Sequence, residues 1–220
     1  MLEIKKHFLD LFFPIYCFGC RKEGVWLCKD CLKKIKINSD FVAEFVDPAG
    51  NLDKVLIACD YNQPILIKIL YGFKYQFAVE ISEVLVEILK EYLLAKKNQN
   101  YLPSIDLVTA VPLSRKRQNW RGFNQAEIIA EKISQEFNWP YSFQLISIQF
   151  NNLPQAKLKS KERVANVRNI FGTNLGISLK NKKILIIDDV LTTGSTLSEC
   201  AKNLKKLGAK EVIGLVIAKG

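Results

Sequence analysis

Two neighbouring aspartates, followed by a turn rich in hydroxyl groups, are the residues of this sequence best suited to chemistry. Asp188 and Asp189 come directly after four aliphatic residues at 184–187, and the turn that follows reads Thr-Thr-Gly-Ser-Thr at 192–196. The hydroxyls and backbone N–H groups of such a turn, at the start of a helix, can bind a phosphate dianion. The two carboxylates would repel that phosphate, so its ligand should carry hydroxyls or a metal ion nearby. A ribose 5-phosphate meets this requirement.

The residues around this candidate site predict a strand, a loop and a helix. The aliphatic run 184–187 is typical of a strand covered on both faces in a parallel sheet. The two aspartates should therefore lie just past the end of that strand. Gly194 permits a tight turn, and Ser195 or Thr196 can cap the helix that follows. That helix has apolar residues at helical spacing, at Leu197, Ala201, Leu204 and Leu207.

Three interpretations of this stretch compete. The first is a buried strand and a capped helix in which the aspartates only satisfy loop amides. The second is the magnesium-binding strand of a P-loop NTPase, which requires a G-x-x-x-x-G-K-[ST] loop that this sequence lacks. The third interpretation follows from a resemblance. The stretch resembles the motif with which type I phosphoribosyltransferases bind 5-phosphoribosyl-1-pyrophosphate (PRPP), and every position of that motif is filled here.

A second candidate site lies near the amino terminus, where four cysteines form two C-x-x-C pairs separated by seven residues. This spacing predicts a closed tetrahedral zinc site, with an iron–sulfur site or plain thiols as alternatives. Residues 1–36 contain too few apolar side chains for a core of their own. Metal binding, worth ~10–16 kcal/mol in small zinc modules, would supply their folding free energy. The predicted ligands are Cys17, Cys20, Cys28 and Cys31.

The composition of the chain is that of an ordinary folded protein. Its 220 residues are 49% hydrophobic, which is enough for one core and a small appended module. No apolar run approaches the ~18 residues of a membrane span, and residues 1–14 make a poor signal peptide. Those residues instead predict a short helix that Pro14 ends. We therefore expect a soluble, cytoplasmic protein.

Positive charge is concentrated in one segment of this chain. The formal net charge is +10, and residues 151–183 hold eight lysines and arginines against the single acid Glu162. Such a block is most often solvated surface, but it also suits a polyanion such as DNA or a pyrophosphate group. Residues 149–160 have no apolar periodicity, which indicates either a disordered segment or a lid over a site.

The rest of the chain alternates strands with helices, which predicts an α/β fold with a parallel sheet. Strands are predicted at 54–60, 105–111, 143–148, 184–187 and 211–218, and helices at 64–73, 77–97, 126–137 and 162–171. A basic loop at 112–117 follows the second strand and should line the same crevice as the two aspartates. The expected organisation is a zinc-binding module at 1–36, a connection at 37–53 and the α/β domain at 54–220.

Several motifs taken together resemble the ComF competence-protein family. They are the four-cysteine knuckle, V-P-L-S at 111–114, R-G-F-N-Q at 121–125, P-Q-x-x-L with E-R-x-x-N at 154–166, and D-D-V-L-T-T-G-S-T at 188–196. The resemblance implies a type I phosphoribosyltransferase-like fold and a part in the uptake of single-stranded DNA during natural transformation. DNA-uptake or helicase machinery would then be a partner.

The resemblance also implies roles for individual residues. Asp188 and Asp189 would hold the ribose hydroxyls at the catalytic centre, and Thr192, Thr193, Gly194, Ser195 and Thr196 would bind the 5-phosphate of PRPP, with Mg²⁺ as cofactor. Val190 and Leu191 complete the PRPP-binding segment. The residues expected to face pyrophosphate are Leu113, Ser114, Arg115, Lys116 and Arg117. Arg121, Gln125, Gln155, Arg163 and Asn166 match family positions without an assigned role.

Two functions remain open from the sequence. One is transfer of a phosphoribosyl group with release of pyrophosphate. The other is a non-catalytic module that binds single-stranded DNA or phosphate without turnover. The cations expected to contact nucleic acid, or to act as a lid, are Lys157, Lys159, Lys161, Arg163 and Arg168.

Overall fold

A computed structural model describes residues 14–38, 45–76, 78–148, 171–173 and 176–220. The sequence predictions for the first helix and for the helix at 162–171 therefore lie outside the described residues, except for Phe171. Among the described helices, none has the length and apolar character needed to cross a membrane.

The described residues contain six helices and six strands, and three of the strands, at 146–148, 171–173 and 183–191, follow one another with no described helix between them. In chain order they are α1 (Lys29–Leu32), β1 (Lys54–Asp60), α2 (Pro64–Tyr75), α3 (Ile81–Asn98), β2 (Leu107–Ala110), α4 (Arg115–Arg121), α5 (Gln125–Phe137), β3 (Ile146–Ile148), β4 (Phe171–Thr173), β5 (Lys183–Leu191), α6 (Ser195–Lys206) and β6 (Glu211–Lys219).

Four strands form a parallel sheet in the order β1-β6-β5-β2. In this register Leu185 of β5 lies between Ile213 of β6 and Val108 of β2. The expectation that the aspartates follow the end of their strand is wrong, because β5 continues to Leu191. Strand β6 is long enough to pair with β5 as far as Leu191, so the backbone of Asp188 stays in the ladder beside Val216.

The sheet is covered on both faces, as its aliphatic strands require. Leu185 and Ile187 point to the core formed with α2, α3 and α5. Ile184 and Ile186 point to the opposite core, which is formed with α6. All four side chains are fully buried. Pairing with β6 on one side and β2 on the other places β5 inside the sheet, and with it the two aspartates that continue the strand.

Strands β3 and β4 form a separate antiparallel pair. The strand predicted at 143–148 is shorter than expected, because β3 begins at Ile146. It pairs with β4 and does not extend the parallel sheet. Tyr141 makes one isolated parallel bridge to Val108 at the edge of the sheet, and the chain then leaves that edge. The alternating pattern of residues 143–148 could not show which partner strand they pair with.

The helices of the sheet domain depart from the prediction by more than two residues at two places. Helix α3 begins at Ile81 rather than at residue 77. The segment predicted as a basic loop contains a seven-residue helix, α4, whose first turn includes Arg115 and Arg117. Ser114 is its N-cap, and its hydroxyl accepts a hydrogen bond from the backbone N–H of Arg117 at 3.4 Å. The sequence pattern did not predict this helix, because a helix that buries no residue has no apolar face.

The cysteine-containing segment packs on the sheet domain through α2. The Phe18 ring lies so close to Gly72 of α2 that a Cβ atom there would be 2.6 Å from the ring. Ile37 then forms an antiparallel bridge with Cys59 of β1. Part of the predicted connection at 37–53 thus belongs to the sheet domain. Asp47 is held there by Ser198 of α6, whose hydroxyl donates to its carboxylate at 2.8 Å.

Candidate functional site

The carboxyl ends of β2 and β5 enclose a cavity of about 650 Å³. Both predicted groups of site residues contribute to its lining, as expected for the edge of a parallel sheet. The fold therefore brings the two aspartates and the 113–117 segment together. The lining includes Leu113, Ser114, Arg117, Arg121, Asn124, Gln125, Asp188, Asp189, Val190, Thr196 and Lys74.

The two aspartates differ in their surroundings although they are adjacent. The carboxylate of Asp189 forms an ion pair with Lys74, with 2.9 Å between Nζ and Oδ2. Asp188 accepts a hydrogen bond from the backbone N–H of Asp189 at 2.8 Å. Burial, with the neighbouring charge of Asp189, raises the pKa of Asp188 to about 7, although Lys74 and Arg117 act in the opposite direction. One of the two carboxyls is thus poised to exchange a proton near neutral pH.

Lys74 is a site residue that the sequence did not reveal. It belongs to α2, and nothing in the spacing of that helix distinguishes it from Lys68, which is exposed. Only the packing of α2 against the sheet brings its ammonium group to Asp189. Because its side chain is only 22% exposed, the ion pair is less screened by solvent than a surface pair.

The hydroxyl-rich turn forms a small cleft of about 30 Å³ beside the main cavity. Its lining consists of Asp188 and residues 190–197. The N-cap of α6 is Gly194, at φ 74°, rather than Ser195 or Thr196. Glycine tolerates this left-handed conformation, and the turn can therefore present its N–H groups at the helix start. The hydroxyl groups of Thr193 and Ser195 are 2.9 Å apart.

The aromatic ring of Phe45 covers Gly194 from the other side of the turn. A Cβ atom on Gly194 would lie 2.1 Å from the ring of Phe45. Any side chain at this position would thus meet both a strained backbone and a steric clash. The need for glycine in the turn conformation is a local feature of the motif, whereas the contact with Phe45 is a tertiary one.

The 113–117 segment contributes to the cavity only in part. Leu113, Ser114 and Arg117 line the cavity, whereas Arg115 and Lys116 are exposed on α4 and do not belong to its lining. Helix formation explains the difference, because consecutive helical residues point in different directions. Arg117 is the cation of this segment that can reach a ligand in the cavity.

The R-G-F-N-Q string positions two polar side chains at the cavity. Gly122, at φ 77°, ends α4, and Asn124 caps α5 by accepting from the N–H of Ala126 at 3.1 Å. Between these two helix ends, Arg121 donates to Oε1 of Gln125 at 3.1 Å. Gln125 is only 2% exposed, and its Nε2 has no hydrogen-bond partner within the described ranges. An orphaned donor in a cavity lining is a group that a polar ligand can satisfy.

The four cysteines form a cluster whose sulfur atoms all lie within 4.8 Å of one another. The Sγ atoms of Cys20 and Cys28 are 3.7 Å apart, close to the ~3.8 Å that tetrahedral zinc–sulfur bonds of ~2.3 Å require. Burial would raise the pKa of Cys17, but backbone N–H groups, including that of Cys28, lower it to about 6. The cluster can therefore hold a metal ion, and all four thiols are free of disulfides.

Gly19 explains how the first pair of cysteines closes on the second. A Cβ atom on Gly19 would lie 2.5 Å from Sγ of Cys31. Only glycine permits this approach. The remaining predicted site residues fall outside the described part of the chain, namely Gln155, Lys157, Lys159, Lys161, Arg163, Asn166 and Arg168.

Comparison with known proteins agrees with this architecture. The family model described as "Phosphoribosyl transferase domain" matches residues 124–220, which contain both the aspartates and the hydroxyl-rich turn. The fold is that of a type I phosphoribosyltransferase-like protein with an amino-terminal four-cysteine cluster, as predicted.

Curated relatives extend the similarity beyond that domain. Competence protein F of Haemophilus influenzae is 28% identical over 201 residues, which cover 89% of this chain and 86% of the relative. DNA utilization protein YhgH of Escherichia coli is 28% identical over 90% of this chain and 94% of its own length. Competence protein ComFC of Bacillus subtilis is 36% identical over 102 residues, 46% of this chain and 39% of the relative. The predicted resemblance to the ComF family is confirmed.

Proposed function

We propose that this protein binds PRPP with Mg²⁺ in the cavity at the carboxyl ends of β2 and β5. The observation that carries the proposal is the meeting of paired carboxylates with a small cleft, lined by the hydroxyl-rich turn, at a helix start. The cleft lined by residues 190–197 suits the 5-phosphate, and Asp188 with Asp189 suits the ribose hydroxyls. Arg117 and Lys74 supply positive charge near the pyrophosphate.

The reaction that fits this arrangement is transfer of a phosphoribosyl group with release of pyrophosphate. Displacement at the anomeric carbon develops positive charge on the ribose and negative charge on the departing pyrophosphate. The aspartates would stabilise the first charge, and Arg117 would stabilise the second. Mg²⁺, when bound through substrate oxygens, would neutralise part of the pyrophosphate charge. No acceptor nucleophile is identified by the described residues.

We propose zinc as the ion of the cysteine cluster, and a structural role for it. Four thiolates at tetrahedral separation leave no open coordination position for a substrate. The metal would fix the segment that packs through Phe18 on α2, the helix that carries Lys74. The domain organisation supported by these contacts is a zinc module at 1–36 joined to a phosphoribosyltransferase-like domain at 54–220. The connection at 37–53 is partly built into that domain.

We further propose that the protein acts on single-stranded DNA in the cytoplasm during DNA uptake. Two relatives bear the names competence protein F and DNA utilization protein YhgH, and the charge of residues 151–183 suits a polyanion. Ile148 and Phe171, which flank the segment 149–170, both line the cavity. This supports a role for the cations of that segment at the cavity, either on DNA or over pyrophosphate. The second candidate function is a binding module that recognises DNA phosphates without turnover.

Isothermal titration calorimetry with PRPP tests the first part of the proposal. PRPP should bind in the presence of Mg²⁺ and not in its absence. The variant carrying Asp188→Asn and Asp189→Asn should bind at least about tenfold more weakly, because each carboxylate contributes a charge-assisted hydrogen bond worth ~1.5–3 kcal/mol. Asp106→Asn is the matched control, since that aspartate lies at the amino end of β2 and bonds the N–H of Lys183. Unchanged affinity in the double variant would exclude the proposed role of the aspartates.

A further inference from the structure

Three aromatic side chains form an exposed cluster beside the cavity. Tyr71 and Tyr75 lie one turn apart on α2, with ring centroids 4.5 Å apart. Trp120 of α4 meets Tyr75 edge-on, with a centroid separation of 5.5 Å. We call Tyr71, Tyr75 and Trp120 the aromatic rim. It is a tertiary feature, because the two helices that supply it are separated in sequence by α3 and β2.

The side chains of the aromatic rim are exposed to solvent although they are large and mainly apolar. Tyr71 is 62% exposed, Trp120 is 59% exposed and Tyr75 is 37% exposed. Large side chains with this exposure are common singly, but three in mutual contact form a patch that is typical of a binding surface.

Arg121 connects the aromatic rim to the cavity. Its guanidinium lies 5.7 Å from the centroid of the Tyr75 ring, and the same side chain lines the cavity. Its Nε is buried and has no hydrogen-bond partner among the residues that the structure describes. Gln125, to which Arg121 donates, also presents an unpartnered amide to the cavity. The aromatic rim and the cavity are therefore joined through one side chain, that of Arg121.

The charge of both supporting helices is of one sign. Between Asp60 and Glu80, and again between Asp106 and Glu127, the sequence contains no acidic residue. The first interval, which holds α2, carries two lysines, and the second, which holds α4, carries four basic residues. These cations are Lys68, Lys74, Arg115, Lys116, Arg117 and Arg121. Aromatic faces set among cations are complementary to a strand of phosphates that carries exposed bases.

We propose that the aromatic rim stacks the bases of single-stranded DNA whose phosphates lie along α4. This inference rests on the proposed association with DNA. It assigns DNA binding to residues other than the cations at 157–168. Unpaired bases can insert against Trp120 and Tyr71, whereas paired bases in a duplex are already stacked. A surface that bound phosphates by charge alone would have no need of the exposed rings. A surface that bound another protein would have no need of helices free of acidic residues.

The test compares two ligands that differ only in their bases. Fluorescein-labelled oligothymidylate and an abasic deoxyribose-phosphate strand of equal length are titrated by fluorescence anisotropy at several salt concentrations. For the oligothymidylate, Trp120→Ala should lower affinity by about 5- to 150-fold, as expected for loss of one stacked base. For the abasic strand, affinity should stay the same, because the phosphate contacts remain. Trp120→Phe should restore most of the affinity.

Further measurements separate stacking from other causes. The salt slope of Trp120→Ala should equal that of the parent protein, since no charge is removed. Tyr101→Ala is the control: this residue is 46% exposed, and its carbonyl contacts Lys54 at the opposite edge of the sheet. Equal loss for the abasic strand, equal binding of duplex DNA, or unchanged affinity in Trp120→Ala would overturn the proposal. PRPP binding by the same variants, measured separately, shows whether the cavity is intact.

The inference and the proposed function can fail separately. If the parent protein binds PRPP but no single-stranded DNA at low salt, the DNA association and the stacking surface are both wrong. If it binds the oligothymidylate and abasic strands equally, DNA association stands and only the stacking role of the aromatic rim is lost.

Discussion

Lys74 and Asp189 form an ion pair of 2.9 Å between a helix and the strand that carries the candidate catalytic carboxylates. The pair places a positive charge beside two adjacent aspartates that would otherwise repel each other. Lys74 thereby lowers the pKa of Asp188, although burial and Asp189 together still raise that pKa to about 7. Burial and Asp189 therefore dominate the proton affinity of Asp188, and Lys74, a residue from a distant helix, moderates it.

The first prediction concerns the pH dependence of stability. The pKa of Asp188 rises from 3.8 to about 7 on folding. Between these values the unfolded chain releases the proton more readily than the folded one, so the free energy of unfolding falls as pH rises. Relative to Asp188→Asn, the parent protein should lose up to ~1.4 kcal/mol per pH unit in this window, with no further loss above about pH 7.

The measurement is urea denaturation of the parent protein and of Asp188→Asn between pH 5 and 8, without PRPP or Mg²⁺. This range covers the upper part of the interval in which the stability should fall, which ends near the pKa of about 7. Lys74→Met should extend the loss to higher pH, because the cation that favours the ionised carboxylate is gone. Lys68→Met, an exposed change on the same helix, is its control. A constant stability difference between the parent and Asp188→Asn would show that Asp188 has an ordinary pKa.

The second prediction concerns the metal. Purified protein should contain one zinc per chain by elemental analysis, because the four sulfur atoms all lie within 4.8 Å of one another, close enough to bind one metal ion. Cys17→Ser or Cys28→Ser should loosen residues 1–36 while the sheet domain stays folded. Cys59→Ser is the control, since that cysteine is buried in β1 and does not belong to the four-cysteine cluster. Iron in place of zinc would contradict the assignment.

The third prediction concerns Gly194. Gly194→Ala should cost ~1–2 kcal/mol for the left-handed backbone and ~1–3 kcal/mol more for the clash with Phe45. Gly50→Ala is a matched control, because Gly50 also has a positive φ, of 67°, but a Cβ atom there would have nothing within 4 Å. It should show only the backbone cost. Chemical denaturation gives the free energies of unfolding.

A double variant isolates the steric part of this cost. In a protein that already carries Phe45→Ala, the further change Gly194→Ala should lower the free energy of unfolding by about as much as Gly50→Ala does in the parent protein. The reason is that the ring that a Cβ atom on residue 194 would meet is then absent. Purely additive losses from Phe45→Ala and Gly194→Ala would mean that the ring does not restrict the turn. Calorimetry on the single variant should also show weaker PRPP binding, since the turn changes shape.

The fourth prediction distinguishes the two uses of the basic segment. Removing Lys157, Lys159 and Lys161 together should flatten the salt dependence of single-stranded DNA binding, by roughly 0.7 in log–log slope for each phosphate that is no longer neutralised. If these lysines instead close over pyrophosphate, the same variant should lose PRPP affinity while DNA binding keeps its slope. A triple variant at Lys205 and Lys206, in the last turn of α6, and at Lys210, just before β6, is the charge-matched control.

The local architecture of the two candidate sites could be predicted from short stretches of sequence. The D-D-V-L-T-T-G-S-T string could be interpreted locally, because a strand, a turn and a helix start place carboxylates beside the small cleft of the turn within a single stretch of chain. The cysteine spacing was equally informative, since two C-x-x-C knuckles need only to close on each other. The parallel sheet also followed, because strands such as 184–187 were aliphatic on both faces.

The surroundings of those residues, in contrast, depend on packing between distant elements. The continuation of β5 through Asp188 and Asp189 depends on the length of its neighbour β6, which no local pattern reveals. The antiparallel pairing of β3 with β4 depends in the same way on a distant partner. The ion pair of Lys74, the ring of Phe45 on Gly194 and the aromatic rim all join elements far apart in sequence. Such contacts arise when whole faces of helices and strands meet, which periodicity and spacing do not encode.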